Sequence, residues 1–175
     1  MLYIVATPIG NLEDITARAL RILREVDVVA AEDTRVTKNL LRHFSIDTPL
    51  IRCDAYVEHR SADSVLARLR EGQSVALVSD AGTPLLSDPG QELVAAAVEE
   101  GFRVEPIPGA SALLAALVGA GLPTGRFVFE GFLPRTNDRR DRLQEVAVER
   151  RSVVLYEGPH RLGETLHDLA SVCGG

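Results

Sequence analysis

Short runs of β-branched and apolar residues alternate with longer segments of helical periodicity along almost the whole chain. The short runs predict strands. The longer segments predict helices, because apolar residues such as Ala17, Leu20 and Leu23 recur on one helical face. Strands that alternate with helices pair side by side in parallel, since each helix carries the chain back to the start of the next strand. The alternation therefore predicts an α/β fold, with a mainly parallel sheet flanked by helices.

The ends of the predicted elements coincide with residues that cap or terminate helices. Asp14, Ser61 and Asp88 precede helical segments and are predicted N-caps, whereas Gly72 and Gly101 follow such segments. The predicted strands occupy residues 2–7, 26–31, 49–53, 75–78, 104–107, 127–132 and 153–156. One predicted helix follows Asp14, and others occupy residues 34–43, 61–70, 88–100, 138–149 and 160–172.

A change in composition divides the chain. Residues 119–125, with the sequence GAGLPTG, are rich in turn formers and predict a boundary between an N-terminal α/β domain over residues 1–120 and a second α/β segment over 126–175. Two strands and two helices make a poor independent core. The second segment therefore either extends the first sheet or begins a second, truncated α/β domain, and we predict the latter.

Charge and cysteine content exclude several classes of protein. The net charge of −6 argues against a protein that wraps nucleic acid by bulk positive charge, although a local basic patch stays possible. Cys53 and Cys173 are far apart and match no metal-ligand spacing, so we predict no metal site and a cytoplasmic location. No apolar stretch approaches the roughly 20 residues that span a bilayer, so we expect no membrane partner.

Four loops of unusual composition follow predicted strands, at residues 7–14, 31–35, 79–90 and 108–112. In a parallel sheet the carboxyl ends of the strands lie at one edge, where ligands bind. The loop at 79–90 is longer than most connections, which favours a function. Gly10 and Gly82 fit neither a dinucleotide fingerprint nor a phosphate-binding P-loop. All four loops are predicted to face one cleft.

Two charged segments have both a structural and a functional interpretation. Residues 32–35, with the sequence EDTR, are typical of a helix start, yet a carboxylate there also suits proton transfer and Arg35 suits a phosphate. The arginines of residues 135–151 alternate with acids, as on a solvated helix. The residues Arg135, Arg139 and Arg140 are the candidates for contacts with an RNA backbone.

Seven motifs, in order and over essentially the whole chain, resemble those of the tetrapyrrole-methylase-like superfamily and, within it, the ribosomal RNA small-subunit methyltransferase I family. They are TPIGNL at residues 7–12, AAEDTR at 30–35, VSDAGTP at 78–84, SDPG at 87–90, PIPGASA at 106–112, FEGFLP at 129–134 and YEGPHRL at 156–162. The resemblance departs at residues 54–58, DAYVE, where the family usually has a His-acidic-His-Asn-Glu stretch and only Glu58 is retained.

The resemblance implies a cofactor, a substrate and an assembly. The cofactor is S-adenosylmethionine, the substrate is the ribose 2′-hydroxyl of a cytidine in the 16S RNA of the small ribosomal subunit, and the assembly is a homodimer. Carried over by motif, the residues that bind the cofactor are Pro8, Gly10, Asp80, Ala81, Gly82, Thr83, Pro84, Ser111 and Ala112, with Phe132 and Leu133 from the second domain. Glu32, Asp33 and Arg35 are the candidates for orienting or deprotonating the hydroxyl.

Two alternatives stay open, one a close rival and one from a different class of function. One is a tetrapyrrole or diphthine-type methyltransferase of the same superfamily. The other is an inactive fragment that binds cofactor or dimerises, which the expected truncation of the second domain keeps open.

Overall fold

The computed structural model describes residues 1–53, 58–136 and 138–174, so residues 54–57 of the divergent DAYVE stretch lie outside the described residues. The strands are β1 (Leu2–Val5), β2 (Val28–Ala31), β3 (Leu50–Arg52), β4 (Val75–Val78), β5 (Val104–Ile107), β6 (Phe127–Phe132) and β7 (Ser152–Tyr156). The helices are α1 (Ala17–Glu25), α2 (Thr34–His43), α3 (Glu58–Arg70), α4 (Gln91–Glu99), α5 (Ala112–Gly119), α6 (Asp138–Val148) and α7 (Leu162–Cys173).

The chain forms two compact units, Met1–Ser111 and Ala112–Gly175. The first contains a five-stranded sheet in the order β3-β2-β4-β1-β5, and every pair of neighbouring strands is parallel. In this register Ile4 lies opposite Leu77 on one side and Pro106 on the other. The predicted α/β fold with a mainly parallel sheet is confirmed. Its consequence is that the carboxyl ends of all five strands meet at one edge.

Helices cover both faces of this sheet. Ile22 of α1 and Leu41 of α2 pack on one face, in a cluster that includes Val5 and Val29. Helices α3 and α4 pack on the other face, in a cluster around Leu2, Ile4, Val65, Leu77 and Leu93. All four residues of β2 and all four of β4 are buried, because these strands lie between neighbours and beneath helices on both sides.

The predicted N-cap of the first helix is wrong by two residues. Residues Leu12–Asp14 form a short 3₁₀ helix, which leaves Asp14 outside α1. The hydroxyl of Thr16 caps α1 instead and accepts a hydrogen bond from the backbone N–H of Ala19 at 3.0 Å. The 3₁₀ helix lengthens the loop after β1, so α1 begins later in the chain than a cap at Asp14 predicts.

The predicted caps of α3 and α4 are also wrong. Helix α3 begins at Glu58, so Ser61 lies inside its first turn. Helix α4 is preceded by Gly90, whose φ of 113° lies in a region that side chains rarely adopt, and Asp88 is still part of the loop. Asp88 is half-buried, and the nearby Ser79 side chain partly offsets the effect of burial on the pKa of its carboxyl. Its carboxylate therefore faces the loop rather than a helix terminus.

The second unit contains a sheet of its own, in which β6 and β7 pair in parallel with a register irregularity between Phe129 and Gly131. Leu113 and Leu117 of α5 pack against Val154 of β7. Because of this packing, the second unit begins at Ala112, before the predicted boundary at residues 119–125. The assignment of residues 126–175 to a truncated domain stays a prediction. In the described part of the chain no helix combines the length and apolar character needed to cross a bilayer.

Candidate functional site

Backbone hydrogen bonds join the loop after β1 to the loop after β4. The N–H of Thr7 donates to the carbonyl oxygen of Gly82 at 2.8 Å, and the N–H of Gly82 donates to the carbonyl oxygen of Thr7 at 3.1 Å. The hydroxyl of Thr7, which is 2% exposed, donates to the carbonyl oxygen of Ser79 at 3.2 Å. These bonds fix the two loops relative to each other at the edge of the sheet.

Two glycines, Gly82 after β4 and Gly109 after β5, lie where the loops after β1, β4 and β5 approach one another. A Cβ at Gly82, whose φ is 82°, would lie 3.3 Å from Cγ2 of Ile9. A Cβ at Gly109 would lie only 2.8 Å from the Cβ of Ala6, closer than real Cβ atoms approach. The hydroxyl of Thr83 donates to the carbonyl oxygen of Ala110 at 3.2 Å. Three of the four loops therefore lie together, and glycine is needed where their backbones approach most closely.

The loop after β4 also holds its backbone in conformations that are uncommon for side chains. Leu85 has a φ of 74° and Ser87 a φ of 68°, and a bulky residue rarely adopts such a value. A Cβ at Gly90 would lie 3.0 Å from Cδ2 of Leu85, so glycine leaves room for that side chain to pack. Strain that the surrounding structure maintains is typical of functional loops.

The loop after β2 completes the group and adds carboxylates to it. The N–H of Asp33 donates to Oδ1 of Asp80 at 3.1 Å. Burial raises the pKa of Glu32, and the negative charges of Asp80 and Asp88 raise it further. Burial also raises the pKa of Asp88, against the hydrogen bond from Ser79. Glu32 therefore holds a proton more readily than an ordinary glutamate, which suits a group that accepts and releases a proton.

Asp33 and Arg35 interact mainly with each other. Asp33 is the N-cap of α2 and accepts a hydrogen bond from the Arg35 N–H at 2.8 Å. Its carboxylate also pairs with the Arg35 guanidinium, with Nη2 and Oδ2 2.6 Å apart. This pairing lowers the pKa of Asp33 to about 2, so its carboxylate is a poor base. The Arg35 side chain is 89% exposed and accessible to an anion.

A cavity of about 470 Å³ lies between the loop after β1 and helix α2. Its size falls in the range of small-molecule sites. The predicted residues Pro8, Gly10 and Asp80 line it, whereas residues 81–84 lie in the joined loop without lining it. The face of α2 that carries Val36 and Leu40 forms the opposite wall. Sequence analysis missed this wall, although the 42% exposure of Val36 on an amphipathic helix is consistent with an unfilled cavity beside it.

Among the predicted cofactor residues nearer the C-terminus, Ser111 ends the first unit and Ala112 begins α5. In the second unit Phe132 is 50% exposed, whereas Leu133 is buried. The Phe132 ring makes an edge contact with Tyr156, at 5.6 Å between ring centroids.

The three predicted RNA-binding arginines have different environments. Arg135 and Arg140 are exposed. The Arg139 guanidinium is only 15% exposed and pairs with Asp168 at 2.8 Å, and it also donates to the Thr165 hydroxyl at 2.9 Å and to the Pro134 carbonyl oxygen at 3.2 Å. Arg139 therefore connects α6 to α7, and its guanidinium is already hydrogen-bonded within the unit.

Comparison with known proteins identifies the family. The model of the tetrapyrrole (corrin/porphyrin) methylases matches residues 1–174. The chain belongs to this family. Ribosomal RNA small subunit methyltransferase I of Pseudomonas aeruginosa is 56% identical over 99% of the chain and 62% of its own length. The protein of the same name from Synechocystis is 57% identical over 99% of the chain and 63% of its own length. The chain thus spans less than two thirds of these two methylases.

Solved structures of methylases share the fold. Cobalt precorrin-4 methyltransferase superposes with a TM-score of 0.71 at 22% identity, over 98% of this chain and 73% of that one. Uroporphyrin-III C-methyltransferase of Thermus thermophilus, solved with S-adenosylhomocysteine, superposes with a TM-score of 0.66 at 24% identity, over 98% of this chain and 76% of that one. These likenesses confirm the predicted tetrapyrrole-methylase-like architecture.

Proposed function

We propose that the chain acts as an S-adenosylmethionine-dependent methyltransferase on the 16S RNA of the small ribosomal subunit, at the ribose 2′-hydroxyl of a cytidine. The observation that carries this proposal is the 56–57% identity to two proteins named ribosomal RNA small subunit methyltransferase I. We also propose a cytoplasmic location, which suits a substrate in the ribosomal subunit, and a homodimeric assembly, which the resemblance implies.

The residues at the sheet edge fit the cofactor. Pro8 and Leu12 give the cavity apolar walls, which suit a methyl sulfonium, and the Asp80 carboxylate supplies an anionic oxygen for a cation. A Cβ at Gly10 would meet nothing within 4 Å, so the backbone there is open to a ligand. We assign the cofactor to Pro8, Gly10, the loop Asp80, Ala81, Gly82, Thr83 and Pro84, and Ser111 of the first unit, and to Ala112, Phe132 and Leu133 of the second unit.

S-adenosylmethionine supplies an electrophilic methyl group when it is bound. The methyl group would pass to the ribose oxygen with S-adenosylhomocysteine as the leaving group, and the hydroxyl proton would need an acceptor on the protein. We assign the proton to the Glu32 carboxylate, because burial and two neighbouring carboxylates raise its pKa. Asp33 is less suited to this step, since its pKa is about 2.

The remaining charged residues have supporting roles in the proposal. Asp33 holds the guanidinium of Arg35 through hydrogen bonds from Nε and Nη2, and that exposed guanidinium orients the substrate by contact with a phosphate. Arg135 and Arg140 contact the RNA backbone from the second unit. Arg139 positions α6 against α7, which is a different role from the one that its sequence context predicts.

The test is methyl transfer to RNA. The chain is incubated with methyl-labelled S-adenosylmethionine and small ribosomal subunits that lack the modification, and the labelled nucleotide is mapped. Label on a cytidine ribose supports the proposal. Replacing Glu32 with Gln is expected to lower the rate roughly a hundredfold or more while cofactor affinity stays unchanged. The matched control is Glu13→Gln, at an exposed position on the 3₁₀ helix.

Other outcomes assign the chain to the alternatives. Cofactor binding without transfer to RNA, together with label on a tetrapyrrole offered in a parallel reaction, contradicts the RNA substrate and favours a tetrapyrrole methyltransferase. Cofactor binding without transfer to any acceptor contradicts enzymatic activity of this chain and favours a binding or dimerisation fragment.

A further inference from the structure

We propose that one face of helix α2 binds the sugar–phosphate backbone of single-stranded RNA. The proposal rests on the proposed function and extends it to a surface outside the cofactor loops. Arg35, Lys38 and Arg42 occupy positions i, i+3 and i+7 of α2. Positions with this spacing lie on one side of a helix. We call these three residues the α2 stripe.

An open hollow of about 890 Å³ lies along the α2 stripe and is lined by all three of its residues. Leu41 and Leu50 contribute apolar surface to it, and Thr34 and Ser45 contribute hydroxyls. From Arg35 to Arg42 the stripe extends about 10 Å, at 1.5 Å per helical residue. An open surface of this length fits an extended chain that carries several anionic groups better than one compact anion.

The positive charges of the stripe are only partly balanced. Arg35 pairs with Asp33, and Arg42 donates from Nη2 to the neutral side chain of Asn39 at 2.9 Å. In the part of the chain that the structure describes, neither Lys38 nor Arg42 pairs with a carboxylate. Among the described residues, Asp47 is the one acid that lines the hollow. On a chain of net charge −6, such a concentration of unpaired cations is suited to a polyanion.

The position of the stripe favours RNA over an acidic polypeptide. Arg42 lines both the hollow and the candidate cavity on the other side of α2. Arg35, at the opposite end of the stripe, is held by Asp33, which follows Glu32 in the chain. A strand bound along the stripe therefore has one end at Arg35, next to the loop after β2 that carries Glu32. Phosphates bound by the stripe fix the register of the strand without reading its sequence.

The experiment measures how the affinity of the 175-residue chain for a short, fluorescently labelled single-stranded RNA of mixed sequence depends on salt. The variants are Lys38→Gln and the double variant Lys38→Gln/Arg42→Gln. Each lost phosphate contact is expected to reduce the slope of log K against log salt by about 0.7 and to weaken binding several-fold. Lys38→Arg keeps the charge and is expected to keep the slope.

The matched control is Arg21→Gln, which removes one charge from an exposed position of α1 that does not line the hollow. Its slope is expected to equal that of the unmodified chain. Cofactor affinity, measured by calorimetry, is expected to stay the same in Lys38→Gln. An equal loss of slope in Lys38→Gln and Arg21→Gln overturns the proposal that the α2 stripe binds RNA, because it shows an effect of net charge alone.

Three further outcomes overturn the stripe. The first is a salt slope that is the same in Lys38→Gln as in the unmodified chain. The second is the absence of RNA binding by the unmodified chain. The third is competition by polyglutamate that is as strong as competition by unlabelled RNA. Methyl transfer to ribosomal subunits by Lys38→Gln separates these results from the proposed function. Transfer at the full rate together with an unchanged slope removes the stripe and leaves the proposed function in place.

Discussion

Thr7 and Gly82 exchange two backbone hydrogen bonds, with N···O distances of 2.8 Å and 3.1 Å. Thr7 lies in the loop after β1 and Gly82 in the loop after β4, so the bonds join segments that are far apart in the chain. The pairing holds the two loops together at the edge of the sheet. The backbone of Gly82 has a φ of 82° there. A change in either loop is therefore transmitted to the other, and ligand affinity is a sensitive measure of the pairing.

Replacing Gly82 with Ala is expected to weaken cofactor binding at least several-fold. The new Cβ meets Cγ2 of Ile9 at 3.3 Å and must adopt a φ of 82°. Gly72→Ala is a matched control, because Gly72 has the same φ of 82° and a Cβ there meets nothing within 4 Å. Both variants are expected to lose about 1–2 kcal/mol of stability from the positive φ. Calorimetry with S-adenosylmethionine should show a loss of affinity only in Gly82→Ala, and equal affinities contradict the prediction.

Replacing Glu32 with Gln is expected to stabilise the protein at neutral pH. The pKa of Glu32 is raised above 4.5, so the folded state binds the proton more tightly than the unfolded state does. Stability therefore falls as pH rises from about 4.5 through the raised pKa, and above it the cost is complete. Urea denaturation should show Glu32→Gln more stable than the unmodified chain at pH 7 and equal to it near pH 4. A difference that does not depend on pH contradicts this cause.

Replacing Asp33 with Asn is expected to have the opposite dependence on pH. The folded-state pKa of Asp33 is about 2, against an ordinary value of 3.8, so its stabilising effect is present above pH 3.8 and is lost as pH falls towards 2. The asparagine side chain retains an oxygen for capping α2, and only the charge is removed. Denaturation between pH 3 and pH 7 should show a deficit in Asp33→Asn that becomes smaller towards the acid end.

A second pair serves as the control for Asp33. Glu149 also pairs with the arginine two residues later, Arg151, and its pKa is likewise about 2. Glu149→Gln should show the same pH dependence of stability with no effect on methyl transfer. Asp33→Asn should reduce transfer less than Glu32→Gln does. Equal losses of transfer in Asp33→Asn and Glu32→Gln contradict the assignment of the proton to Glu32.

Replacing Arg139 with Gln is expected to destabilise the second unit by roughly 2 kcal/mol, because it breaks charged hydrogen bonds of a largely buried guanidinium to Asp168 and Thr165. Arg140→Gln, at the next and exposed position, should change stability by less than about 0.5 kcal/mol. Hydrogen exchange in α6 and α7 distinguishes the two variants. Faster exchange is expected only in Arg139→Gln, and similar exchange in both contradicts the structural role of Arg139.

Elements with a single strong local signal could be predicted from the sequence. The VALV run of β4 and the predicted helix over residues 34–43 have the observed bounds. The caps of α1 and α4 could not be predicted, because several residues in each preceding loop have suitable side chains. The choice of Thr16 over Asp14 depends on a 3₁₀ turn that the apolar pattern does not encode.

The sequence predicts which loops form the candidate site, but not the burial and charged neighbours of each side chain in it. Parallel strands bring the loops to one edge whatever their detailed conformation, so the meeting of Thr7, Gly82 and Ala110 follows from topology. Glu32 and Asp33 are neighbours with similar chemistry in the sequence. Their pKa values shift in opposite directions because one side chain is half-buried beside carboxylates and the other pairs with Arg35.

The strand order of the first unit has a consequence for the way the protein is made. Leu2 pairs with Val75 and with Val104, so β1 leaves the ribosome well before either of its partners is synthesised. Such distant pairings slow folding and leave an apolar strand edge open in the nascent chain. We therefore expect the growing polypeptide to depend on chaperones until Ile107 has emerged, and to form its ligand loops only after that point.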